Sequence, residues 1–179
     1  MKPFDRTAAS SDHVRVTSIP SAPPSAADAL QHRAILWSIG AIRAHDVVST
    51  ACDALAGGLD SPALRILASR SRNEADYEVP EILPVVLEEL GLTHYPPGSA
   101  AGQEAAVRVL ANQMLAGELT PRELAFQVHQ RFGHRLPPAQ RLAELDDEYD
   151  TLEYSGRTAA QVDADVTSEA HRLARRPRG

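Results

Sequence analysis

Between Ala26 and Arg175, apolar side chains return at spacings of three or four residues, and each run is bracketed by residues that start or stop a helix. This punctuated helical period narrows the possible folds more than any other feature. Leu30, Ala34, Trp37 and Ala41 recur at helical spacing, and Ile35, Ile39 and Ile42 widen the stripe. They predict a first helix from Ala26, N-capped by Ser25, buried on several sides and central to the core. A second helix is expected from about Asp46, read as its cap, to Ala56, with Gly57-Gly58 stopping it. Asp60-Ser61-Pro62 opens a short third helix, Pro62 lying where its missing N–H costs nothing and Leu64 and Leu67 pointing inward. Ser69 to Asp76 reads as a polar loop. Leu83, Val86, Leu87 and Leu90 define a helix over about 80–91, with Pro80 and Pro84 in or near its opening turn and Gly91 closing it.

After the turn Tyr95-Pro96-Pro97-Gly98, Ser99 introduces a helix over about 100–116 with Val107, Leu110 and Met114 on one face. Thr120-Pro121-Arg122-Glu123 is the clearest local signal: cap, first helical proline and the reciprocal carboxylate of a capping box. That helix reaches Phe132 and stops at Gly133. Two more follow, over about 138–153 and 158–175, the second opened by a box of Thr158 and Gln161. Val14-Arg15-Val16-Thr17 alternates, but four residues without a partner make no stable sheet.

Composition agrees. Ala supplies 29 of 179 residues while Phe, Trp and Tyr together make 4%, a balance that favours helices packed through small side chains. The expected fold is all-α, a single-domain bundle of about seven or eight short helices over residues 26–175. A disordered Ser/Pro/Ala-rich arm precedes it over 1–25 and a basic tail follows over 176–179. The single cysteine, Cys52, excludes an intrachain disulfide framework. The first residues lead into no signal-like apolar run, and Ala34 to Ile42 is far shorter than the roughly 20 residues a bilayer requires. A cytoplasmic protein with no membrane partner is expected.

The usual chemical signatures do not occur. Cys52, among Ala51, Ala54 and Leu55, reads as a buried structural thiol. No Gly-x-Ser-x-Gly elbow is present, and Gly57-Gly58 ends a helix instead of cradling phosphate. His129 and His134 are five apart, which on one helix places them on different faces, whereas a two-His zinc pair wants i, i+4. His45, Asp46 and Asp53 read as surface residues around a helix start. No catalytic residue, metal or cofactor is expected on these grounds.

The acidic block is more distinctive: Glu144, Asp146, Asp147, Glu148, Asp150 and Glu153 fall within ten residues. On a helix, Asp146, Asp150 and Glu153 share a face opposite the stripe Leu142, Leu145, Tyr149 and Leu152. In the plainest reading this is a solvated face. In the functional ones, Asp146, Asp147, Asp150 and Glu153 meet a basic protein partner, or paired carboxylates hold a divalent cation, although they do not match the Asp-x-Asp-x-Asp-Gly calcium loop. A net charge of −6 disfavours broad nucleic-acid binding. The stretch 47–69 nevertheless has helix-turn-helix spacings in Ala54, Gly58, Leu59, Leu64 and Leu67, with Arg65, Arg70 and Arg72 as the residues that would reach a nucleic acid. Against it, Asp53 and Gly57 stand where that motif buries apolar side chains.

Four stretches resemble those of a loose group of small helical bacterial proteins of unknown function: Ala-Gly-Gly-Leu-Asp-Ser-Pro-Ala-Leu-Arg-Ile-Leu-Ala at 56–68, Val79 to Leu92, Gly117 to Pro121 and Leu-Asp-Asp-Glu-Tyr at 145–149. The shared residues are caps and core positions, so the resemblance implies a fold and transfers no site. Three functions stay open at this level. The first is a non-enzymatic interaction module, adaptor or immunity-type, using its acidic face. The second is a nucleic-acid-associated regulator with the corner at 47–69. The third is an enzyme whose site is assembled from distant residues such as His129, His134 or Asp46.

Overall fold

The computed structural model describes residues 25–175, so the expected arm up to residue 24 and the basic tail lie outside the described residues. Among the described residues every regular element is helical: α1 Ala26–Ser38, α2 Ala44–Ala56, α3 Pro62–Ala68, α4 Arg72–Glu89, α5 Ala100–Leu115, α6 Pro121–Phe132, α7 Pro137–Asp150, the single turn α8 Leu152–Ser155, and α9 Ala159–Ala174. The all-α bundle expected from the periodicity is what forms, with eight helices of seven residues or more.

The starts follow the capping chemistry. Ser25, Ser61, Ser99, Thr120 and Thr158 each accept a hydrogen bond from the backbone N–H three residues on. Glu123 and Gln161 return the favour to the N–H groups of Thr120 and Thr158. Those bonds to Thr120 hold the Glu123 carboxyl below its ordinary range.

Four boundaries differ from expectation, one of them the helix expected over about 138–153, which ends at Asp150 and leaves Glu153 in the separate turn α8. α1 ends at Ser38, whose hydroxyl donates to the Ile35 carbonyl, and Gly40 then takes a left-handed φ of 67°. Ala41 and Ile42 therefore reach the core from the link and not from the helix. α2 starts two residues early, because Asp46 works from the third helical position, its carboxylate accepting the Arg43 N–H at 2.9 Å.

The largest difference is α4. The expected loop over Ser69 to Asp76 is helical from Arg72 onward, started by a capping box of Ser71 and Glu74. Pro80 and Pro84 consequently lie well inside the helix and not in its opening turn. Each removes one ladder bond, orphaning the carbonyls of Asp76 and Pro80. Positions 76, 80 and 84 form one column at i, i+4 spacing, with Asp76 and Pro80 exposed, while Ala75, Val79, Leu83, Val86 and Leu87 bury the other side. Water can satisfy the orphaned carbonyls, so the defect falls on the side where it costs least.

Two clusters of buried side chains fill the bundle, and α1 belongs to both. Leu30 and Ala34 pack with Val47 and Ala51 of α2, Leu64 and Leu67 of α3, and Val79 and Leu83 of α4. Ile35 and Leu36 pack with Leu110 of α5, Leu124 and Val128 of α6, Leu142 and Leu145 of α7, and Val162 and Leu173 of α9. The expectation of a first helix buried on several sides is met by this double membership.

A polar clamp holds the same helix to the chain between the two halves. The Gln31 side chain donates to the Thr93 carbonyl at 2.8 Å and accepts the Thr93 N–H at 2.7 Å, joining positions 62 residues apart. Replacing Gln31 with Leu keeps the volume but removes both bonds. We expect a loss of about 1–2 kcal/mol in urea unfolding, and a variant as stable as wild type would show that the clamp does not hold the link.

Candidate functional site

The acidic block lies on α7, except Glu153 in α8, and α7 packs along α6. His129 of α6 meets Asp146, while Arg122, two turns earlier, lies beside Tyr149 and Asp150, so the two helices run antiparallel. Asp146 is 8% exposed. It stands four residues after Leu142 and three before Tyr149, inside the buried stripe and not on the solvent face with Asp150 and Glu153 as expected. The correction has a plain cause: α6 covers that edge of α7, and Asp146 Oδ2 lies 2.9 Å from His129 Nδ1. An ionised carboxylate can only accept, so the hydrogen of this bond is on Nδ1.

His134 joins this pair. The spacing argument that separated the two histidines fails because they are not on one helix. α6 stops at Phe132, and Gly133, with φ 57° and ψ −150°, turns the chain back. The two imidazole rings come to 4.8 Å between centroids, edge to face at 66°. His134 Nε2 lies 3.2 Å from Asp147 Oδ2, and His129 Nδ1 lies 3.8 Å from Asp147 Oδ1.

Along the rest of the seam, the Arg122 guanidinium stacks over the Tyr149 ring, 5.3 Å from its centroid, and lies 3.9 Å from Asp150. The Tyr149 hydroxyl donates to Asp163 of α9. Burial first, and then the bond to this carboxylate and its charge, push the phenol well above the ordinary tyrosine range.

The block thus separates into two parts. Glu144 and Glu148 are met by Arg141 at 3.3 and 3.2 Å, and Arg157 bridges Glu148 and Asp165. Asp146 is taken by His129. Asp147, Asp150 and Glu153 remain at the surface, and among the described residues Glu153 has no ion pair. Beside them are two aromatic side chains that the sequence reading did not single out. Phe126, 53% exposed, shares an α6 face with Arg122 and His129, and Tyr154, 83% exposed, follows Glu153.

The remaining candidates are placed as follows. α2 and α3 do form a helix–turn–helix corner, but Arg65 is paired with Asp60 and Arg70 lies 3.8 Å from Glu78. Arg72, at the start of α4, borders a shallow hollow with Arg43, His45 and Asp46. His45 pairs with Asp46 at 3.3 Å, while Asp53 is exposed farther along α2. Cys52 is exposed and not buried: it sits one position round the helix from Ala51, and its thiol donates to the Ala68 carbonyl at 3.3 Å. A cavity of about 160 Å³ lies between α1 and α5, lined by Gln31, Tyr95, Arg108 and Asn112 among others. That is below the roughly 300 Å³ at which pockets for drug-sized ligands begin. No helix among the described residues is long and apolar enough to cross a membrane.

Compared with protein families, curated proteins and solved structures, the chain matches none of them.

Burial separates the acidic residues by what they do for stability. Asp146→Ala strands His129 at the seam and is expected to cost about 2–3 kcal/mol in urea unfolding. Asp150→Ala, at the surface, should stay within about 0.5 kcal/mol of wild type. Equal effects would contradict the division.

Proposed function

We propose that the chain is a non-enzymatic, adaptor-type protein-binding module that docks a basic segment of a partner on the exposed ridge of α6, α7 and α8. The observation that carries this reading is the asymmetry of the acidic block. One half is met closely by Arg141 and Arg157, whereas at the surface next to Phe126 and Tyr154 Asp150 has only an exposed Arg122 at 3.9 Å, Asp147 has only imidazoles, and Glu153 has no ion pair among the described residues. Weakly met negative charge beside an exposed aromatic is the chemistry that recognises a Lys- or Arg-bearing segment. The charges steer and orient the encounter, and the ring supplies an apolar anchor. Asp146 is withdrawn from the contact set, since His129 already holds it.

The nucleic-acid alternative draws less support. Two of its three arginines, Arg65 and Arg70, face carboxylates of this same chain, which leaves less free positive charge for phosphate.

The test is a native pull-down from lysate with and without nuclease, using wild type and the triple reversal Asp147→Lys, Asp150→Lys, Glu153→Lys. The docking reading predicts a stoichiometric protein partner that survives nuclease, binds roughly tenfold or more weakly to the reversed chain, and weakens with salt. A partner held equally by both chains would remove this ridge as the interface. Retention that vanishes with nuclease would favour the nucleic-acid reading instead.

A further inference from the structure

We propose that His129, His134 and Asp147 form a binding site for one divalent transition-metal ion, Zn²⁺ in the first place, with Asp146 as the residue that orients His129. One nitrogen from each imidazole and one carboxylate oxygen all lie within 4.8 Å of one another. Two imidazoles and a carboxylate are a borderline donor set that suits zinc, and three protein ligands leave a fourth position for water. Metal–ligand bonds of about 2.0–2.2 Å in a tetrahedron place ligand atoms roughly 3.3–3.6 Å apart. His134 Nε2 and Asp147 Oδ2, at 3.2 Å, already match that edge. His134 and Asp147 are both exposed, so small rotations of unpacked side chains can close the remaining spread.

The second observation lies behind the cluster. Zinc-bound histidines almost always give their other ring N–H to a carboxylate or a carbonyl, which fixes the ring and its tautomer. Asp146 occupies His129 Nδ1 at 2.9 Å from a buried position, which leaves Nε2 as the nitrogen the ring would turn to the metal in such an arrangement. The parts come from different elements: the last turn of α6, the Gly133 reversal and the middle of α7. The site stands apart from the docking reading, although Asp147 belongs to both, because the metal alone is its probe.

The experiment uses the full, tag-free chain stripped with a chelator. Zn²⁺ binding is read by calorimetry, and Co²⁺ is used for its visible absorption, whose intensity reports four-coordination. The expected result is one ion per chain, a Zn²⁺-dependent rise in melting temperature, and loss of all three signals in His134→Ala, whose exposed position spares the fold. Asp146→Asn should weaken binding about 10- to 100-fold, while Asp150→Asn on the same helix should leave it unchanged. Absence of one-to-one binding, or equal binding by wild type and His134→Ala, would overturn the proposal.

Discussion

The bundle depends on one helix serving two cores. α1 turns Leu30 and Ala34 to one cluster and Ile35 and Leu36 to the other. Elsewhere the first four helices pack among themselves, as do α5, α6, α7 and α9. A helix buried on two sides cannot be amphipathic in the ordinary way, which is why its apolar stripe is so wide. It also explains the clamp: Gln31 sits on α1 where neither cluster claims the side chain, and it gives the link at Thr93 a fixed place.

The candidate site is built on the second cluster. Leu124 and Val128 of α6 and Leu142 and Leu145 of α7 bring the two helices together. Once packed, the edge residues His129 and Asp146 face each other across the seam. Their contact needs the apolar packing to bring it about, because a charged hydrogen bond at a desolvated edge repays its own burial cost only when its geometry is good. Gly133 then returns the chain, so that the His134 ring meets His129 edge to face and its Nε2 reaches Asp147. The outer ridge is left with Asp150, which Arg122 approaches only to 3.9 Å, and with Glu153, which no cation among the described residues meets.

How much of this was legible in the sequence depended on the range of the interaction. Thr120 with Glu123 and Thr158 with Gln161 are three residues apart, and both boxes form as read. Gly133 ends α6 where expected. Failures came where a long-range contact decides. Ser71 and Glu74 are a readable capping box, but Pro80 and Pro84 argued for a later start. Their tolerance depends on the column 76, 80, 84 lying on the solvent side, which is known only once the packed face is known. Asp146 carried a readable signal too, since i+4 from Leu142 is a buried position, but its partner His129 is 17 residues away. Cys52 was assigned by its apolar neighbours in sequence, although adjacent helix positions point about 100° apart. The stop at Gly133 already takes His134 off the helix of His129, but where the reversal carries it is fixed by the glycine's φ of 57° and ψ of −150°, which the sequence does not show.

The sharing of α1 makes a direct demand on unfolding. Trp37 is the one tryptophan of the chain and packs against the N-terminal cluster, so its fluorescence reports that half, while far-UV circular dichroism reports all the helices. Urea unfolding followed by both signals should give a single coincident transition, because neither cluster can lose α1 without exposing the other. A Trp37 transition complete at a urea concentration where most helical signal persists would contradict the account, and would make the two halves independent units joined by a helix instead of cores that share one.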